Sequence, residues 1–419
     1  MPNHMMKVRS SLVAALIVSA AVVGAAGLVP GKPAFAAEEK KVSKELAKTL
    51  KAAQDALNAK KYSEALAKLK EAEGNPKKTP YDEHVINMLA GAAYYATKDE
   101  PNAVKAIEAQ INDGFLSESE IPPRVKAVAQ LNYRLKNYDK AIEFGTRAIK
   151  AGYADDEMYT LVGQAYYLKG DWKGTLKFEE GVVDSQVKKG QTPKNEALQL
   201  LLSACVKLED ADCTTRALEK LVAYYPKTEY WQELLYTLFQ QPSQNDKTLL
   251  QTFRLMSEVD VLKRPDDYTE MASLAIEQGS PGEAQHILEK AFEKNVFADQ
   301  RSQDKNKRLL ASAKKAAATD LASLPRVEKD AEAAKTGDKD VALGLAYLGY
   351  QQYDKAAEAL SKGLSKGGVR SEPEARLLLG IAQLKAGHKD EAVKAFHSVK
   401  GDAALERLAN LWSLHAKQA

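Results

Sequence analysis

The chain is 419 residues long with 60 basic and 57 acidic side chains, so its formal net charge is only +3. Lys7, Arg9 and Lys32 fall in the first 36 residues with no acid among them, which leaves 57 bases against 57 acids in the remaining 383 (419 less 36). Charges so balanced and interspersed exclude the clustered basic excess that nucleic acid or an anionic membrane surface requires, and the length exceeds what one compact core organises, so repetition or several domains is expected.

From the N-terminus, Lys7 and Arg9 precede an apolar, Ala/Val/Leu-rich run from Leu12 to Val29, then the breaker Pro30-Gly31, then Ala34-Phe35-Ala36. This is the order of a secretory signal peptide, expected to span 1–36 and to be removed before Ala37, placing the mature chain in a periplasm. The alternative is an uncleaved anchor, because the run approaches spanning length. Its richness in Ala, Val, Ser and Gly favours cleavage, and no other segment is apolar for long enough to span a membrane. Lipid attachment is excluded, since the first cysteine is Cys205.

Beyond the leader one pattern recurs: an amphipathic helix carrying a small residue and then an aromatic, a polar turn, and a second helix entered through aromatic-x-x-Ala. The clearest copy runs from Tyr159 through Gly163, Tyr166-Tyr167, Gly170-Asp171 and Trp172 to Thr175. Second-helix anchors Ala65, Ala103, Ala141 and Thr175 are 38, 38 and 34 residues apart, and Ala356 and Ala392 are 36 apart. Gly91, Ala129, Gly163, Ala272, Gly344 and Gly380 occupy the first-helix position where the two backbones approach. Tyr62, Tyr138, Trp172 and Tyr353 fill the space beside the turn.

These residues resemble the tetratricopeptide repeat family, whose period is about 34 residues. The resemblance implies an all-α fold, a right-handed α-solenoid of helix hairpins with a C-terminal capping helix and a concave face built from first helices. Four regions are expected: the signal peptide over 1–36, an N-terminal solenoid over 37–300 that is irregular in 195–262, a charged helical connector over 301–337, and a C-terminal repeat pair with capping helix over 338–419. The connector reads as a helical pair broken at Pro325, and Leu405, Leu408, Leu411 and Trp412 form the apolar face of the cap.

Tyr95, Tyr133 and Tyr167 each follow the aromatic position of a first helix, rotated by about 100° toward the concave side. Gln130 and Gln164 lie three residues earlier, and Lys126 and Thr160 a further turn back. A ladder of tyrosine rings flanked by amides and a cation suits an extended peptide. The same rings could instead pack between successive first helices, and the sequence leaves both readings open.

Cys205 and Cys213 flank a polar turn and make a disulfide the expectation in an oxidising compartment; two buried thiols are the alternative. No zinc, phosphate-loop or nucleophile-elbow motif occurs. The histidines are scattered and read as solvated, as does the pair Glu179-Glu180. No catalytic residue, metal ligand or cofactor is therefore expected; the predicted function is a non-catalytic scaffold for a protein or extended peptide, with an enzyme site in the irregular middle as the reading from a different class. Tyr230-Trp231, the run Asp266–Ala272 and the ending Arg407–Trp412 resemble exported Gram-negative tetratricopeptide proteins encoded beside TonB–ExbB–ExbD genes. That resemblance implies a partner in outer-membrane transport energisation, the alternative being a chaperone-like holder of peptides in envelope assembly.

Overall fold

The computed structural model describes residues 40–239 and 245–418, so the expected leader lies outside the described residues. Among these residues there are twenty helices and no strand, an all-α arrangement consistent with a solenoid. They form two compact units divided between Glu209 and Asp210.

The first unit holds α1 (Lys44–Asn58), α2 (Tyr62–Glu73), α3 (Pro80–Ala96), α4 (Glu100–Asn112), α5 (Ile121–Arg134), α6 (Tyr138–Lys150), α7 (Asp156–Lys169), α8 (Trp172–Lys188) and α9 (Asn195–Lys207), each packed on the next. Helix starts are capped locally. Ser43 accepts from the Leu46 N–H, Thr79 and Asp82 form a reciprocal box ahead of Pro80, and Asp155 accepts from Met158. Hairpin turns share one device. Lys60, Lys98, Lys136 and Gly170 adopt left-handed φ of 60°, 62°, 59° and 81°, and the next N–H reaches back, Lys61 to Ala56, Asp99 to Tyr94, Asn137 to Asn132 and Asp171 to Tyr166, at 2.8–3.1 Å. This closure satisfies the carbonyls at the helix end and fixes where the second helix begins.

With the entry fixed, the anchors land where the sequence spacing puts them. Ala65, Ala103, Ala141 and Thr175, and in the second unit Ala284, Ala356 and Ala392, are all fully buried. The position four residues after the anchor lies over the small residue of the first helix: a Cβ on Gly344 would sit 2.5 Å from Leu360 and one on Gly380 2.4 Å from Phe396. That position is the buried Leu69, Ile107, Gly145, Leu288, Leu360 or Phe396 elsewhere, and in α8 it is Glu179. Glu179 is only 2% exposed, its Oε1 1.8 Å from where a Gly163 Cβ would stand. The expectation that Glu179 is solvated is thus corrected, because the repeat register puts it in the core; its neighbour Glu180 is exposed. His84 corrects the same expectation, being 7% exposed and paired with Asp113 at 2.8 Å beneath Phe115. Cys205 and Cys213 are both buried and disulfide-bonded.

The second unit comprises α10 (Ala211–Tyr224), α11 (Thr228–Phe239), α12 (Asp246–Glu258), α13 (Pro265–Glu277), α14 (Pro281–Glu293), α15 (Gln300–Ala333), α16 (Asp338–Gly349), α17 (Tyr353–Lys366), α18 (Glu372–Lys385), α19 (Lys389–His397) and α20 (Ala403–Gln418). Instead of a pair broken at Pro325, α15 is one helix of 34 residues that continues through the proline. An internal proline costs about 3 kcal/mol, and packing on both sides offsets it. Leu324 and Ala331 are buried against Leu343, Ala346 and Tyr347 of α16, and Tyr350 donates to Ala317 O at 3.1 Å and Asp320 at 2.7 Å. This helix packs on α13, α14 and α16 and lies within the second unit. The cap, α20, buries Leu405, Leu408, Leu411 and Trp412 against α18 and α19 and also returns to α10 and α12. Arg407 meets Glu219 at 2.7 Å and Gln418 donates to Val222 O at 2.8 Å.

Burial, with nothing to offset it, raises the Glu179 carboxyl from 4.5 to about 8. The folded chain therefore holds a proton that the unfolded chain has released between those values, so stability falls as pH rises from about 4.5 to about 8. Glu179→Gln is expected to melt with wild type near pH 4 and above it at pH 8; equal pH dependence of the two melting curves would refute the assignment.

Candidate functional site

Two places in the described structure gather side chains beyond what packing requires. The first is the predicted ladder. Tyr95, Tyr133 and Tyr167 lie at the ends of α3, α5 and α7, and all three are half-buried. Tyr95 and Tyr133 lean on the apolar cluster shared by α4 to α7. Tyr133 donates to Gln164 Oε1 at 2.8 Å, from one first helix to the next, and its ring lies 6.0 Å edge-on from Tyr138. Tyr167 sits 5.0 Å edge-on from Trp172. Lys126 also bridges first helices, at 2.7 Å from Asp155, and the Thr160 hydroxyl donates to Asp156 O at 3.0 Å. Gln130 is half-buried on α5. Tyr133, Gln164, Lys126 and Asp155 thus link α5 to α7, while Tyr95 and Tyr167 belong to neighbouring hairpins. Polar groups of the ladder are partly committed to the protein itself, and the half-exposed rings supply its contact area.

Sequence reasoning did not find the second place. In the second unit α12, α13, α14, α16, α17, α18 and α20 line a cavity of about 580 Å³ that opens to solvent. Ion pairs hold α12 to the C-terminal helices. Glu258 is paired with Lys385 and lies 3.6 Å from His415, and Gln251 and Lys247 reach Glu374 at 3.5 and 3.7 Å. His415 stands edge-on to Trp231 and Trp412, at 6.4 and 6.3 Å. Burial alone would raise the Glu258 carboxyl, but hydrogen bonds from His415 and Lys385 outweigh it and hold the group at about 2. Arg254, 7% exposed, forks onto Glu283 through Nε at 2.8 Å and Nη2 at 2.6 Å. Among the described residues no three His, Cys, Asp or Glu side chains are placed to hold a metal ion, and no helix is long and apolar enough to cross a membrane.

Removing one partner of a buried ion pair leaves the other charge uncompensated. Arg254→Met is expected to destabilise the protein by roughly 3 kcal/mol in chemical denaturation, and the double change Arg254→Met/Glu283→Leu to recover most of that loss. A single variant as stable as wild type would show the pair to be incidental.

The family model for the tetratricopeptide repeat matches residues 341–406, which run from α16 into α20. No curated protein sequence matches the chain. Similar solved structures include a tetratricopeptide repeat protein from Parabacteroides merdae, at 13% identity over 81% of this chain and 100% of that one with TM-score 0.29. A complex of the TPR2AB domain of yeast Sti1 with pHSP90 is similar at 14% identity over 72% and 100%, TM-score 0.25. Yeast Tom70 is similar at 9% identity over 90% and 96%, TM-score 0.25. Residues 341–406 are thus similar to the tetratricopeptide repeat, and the hairpins of both units share the left-handed turn, buried anchor and close-approach position seen there.

Proposed function

We propose that the protein is a non-catalytic scaffold of the bacterial periplasm that binds a protein or extended peptide along the first helices of its first unit. The observation that carries this reading is the recurrence of Tyr95, Tyr133 and Tyr167 at one register of three first helices, each half-exposed. Rigid aromatic faces supply contact area at small entropic cost, and the Tyr133–Gln164 bond holds one of them in place before any partner arrives. Export is supported by Lys7, Arg9, the apolar run and Ala34-Phe35-Ala36, and by a disulfide-bonded Cys205 and Cys213, since such bonds persist in oxidising compartments. The resemblance carried by Tyr230-Trp231, Asp266–Ala272 and Arg407–Trp412 points to a partner in TonB-type outer-membrane transport, which co-purification from cross-linked periplasm would identify.

Protein purified from cells is expected to begin near Ala37 on N-terminal sequencing; a membrane-embedded species still carrying Met1 would overturn export. For the ladder, Tyr133→Ala/Tyr167→Ala is expected to melt within a few degrees of wild type and to lose the cross-linked partner. Fully buried aromatics would cost about 3–5 kcal/mol each, so a collapse in stability, or unchanged capture, assigns the rings to packing.

A further inference from the structure

The cavity of the second unit goes beyond the scaffold reading and does not rest on it. Its size falls within the range of about 300–1,000 Å³ that suits small molecules and is short for an extended peptide. Its wall has two characters. Met271, Ile287, Leu348, Ile381 and Trp412 give an apolar, aromatic side, and Arg254, Lys290, Lys294 and Lys385 give a cationic one.

Partners can be assigned to nearly every charge on that wall. Arg254 is held by Glu283, Lys385 by Glu258, and Lys294 by Asp260 at 2.7 Å, while Glu289 is held by Lys314 at 2.9 Å. Glu293 is exposed. Lys290 is left: half-buried on α14, it has no carboxylate within ion-pair distance among the described residues, and its charged neighbours are Lys294 and Lys385 on one hand and Asp260 and Glu258, already paired with those two lysines, on the other. Burial first, and then those like charges, lower its pKa, outweighing the pull of Asp260 and Glu258. A desolvated ammonium with no carboxylate of its own is disfavoured until an anion joins it. The nearby carboxylates of Glu258, Glu283 and Glu289 repel a multiply charged anion and leave room for a single negative charge.

We propose that this cavity is a binding site for a small amphipathic monoanion, one carboxylate on an apolar or aromatic body, with the carboxylate at Lys290 and the body against Met271, Ile287 and Trp412.

The test titrates the full-length protein with dansyl-6-aminohexanoate and its uncharged methyl ester, read by fluorescence anisotropy. Saturable binding of the acid is expected, with the ester weaker by about tenfold or more, the worth of a charge-assisted hydrogen bond. Lys290→Met is expected to lose the acid by a similar factor and Lys290→Arg to retain it within about threefold. Equal binding of acid and ester, no saturation below about 1 mM, or full affinity in Lys290→Met overturns the proposal. Should Lys290→Met fail to fold, the acid and ester on wild type decide alone. A dansylated hexapeptide with a free C-terminus that binds about tenfold tighter than the small acid also overturns it, making the occupant a peptide end. Tyr133→Ala/Tyr167→Ala is expected to bind the acid like wild type, so failure here and failure of the scaffold reading are separately visible.

Discussion

Everything in this molecule depends on how closely the two helices of a hairpin can approach. At each hairpin a small first-helix residue lies beneath the second helix, and the left-handed turn residue sets the register that brings them opposite one another. The non-glycine residues at that turn, Lys60, Lys98, Lys136 and Gln351, accept an unfavourable backbone conformation to keep it. Because the turn is fixed, the anchors become fully buried, and because the anchors are buried, the residues four positions on become core, whatever their chemistry. Glu179 shows how strong the constraint is: the fold keeps a carboxyl at the register where other hairpins bury Leu69, Ile107, Leu288, Leu360 and Phe396.

Much of the fold was legible because this constraint writes itself into residue types at regular intervals. Anchors 34 to 38 residues apart and aromatic entry positions identify the hairpins without any knowledge of packing between them. Glu179 was legible too, four residues after Thr175, but its adjacency to Glu180 suggested a solvated pair. Pro325 misled in the opposite direction. Local propensity ends a helix there, whereas contacts of α15 with α14 on one side and α16 on the other carry it through. The cavity was invisible in the sequence because no local pattern encodes it. Glu258, Lys385 and His415 look like ordinary helix-surface charges until the end of the unit returns to its beginning.

The two candidate places therefore differ in kind. The tyrosine ladder belongs to the repeat and recurs in the three successive hairpins that begin with α3, α5 and α7, whereas Ile276, Leu348 and Leu384 hold that register in the second unit. The cavity belongs to the closure of one particular set of helices, is made once, and is held by pairs such as Arg254–Glu283 and Glu258–Lys385 whose removal would be felt across the unit.

That return of α20 onto α10 has a consequence for how the second unit is made. In the first unit each helix finds its partners among its immediate chain neighbours, so structure can accumulate as the chain emerges from the ribosome. In the second, Glu219 waits for Arg407 across 188 residues and Val222 for Gln418 across 196. Loop closure on that scale slows folding. It also leaves the faces of α10 and α12 that α20 covers without that partner until this 16-residue helix has emerged and docked. A chain in which α20 has not docked leaves those faces of α10 and α12 open to proteases, so resistance to limited proteolysis reports whether the helix has returned.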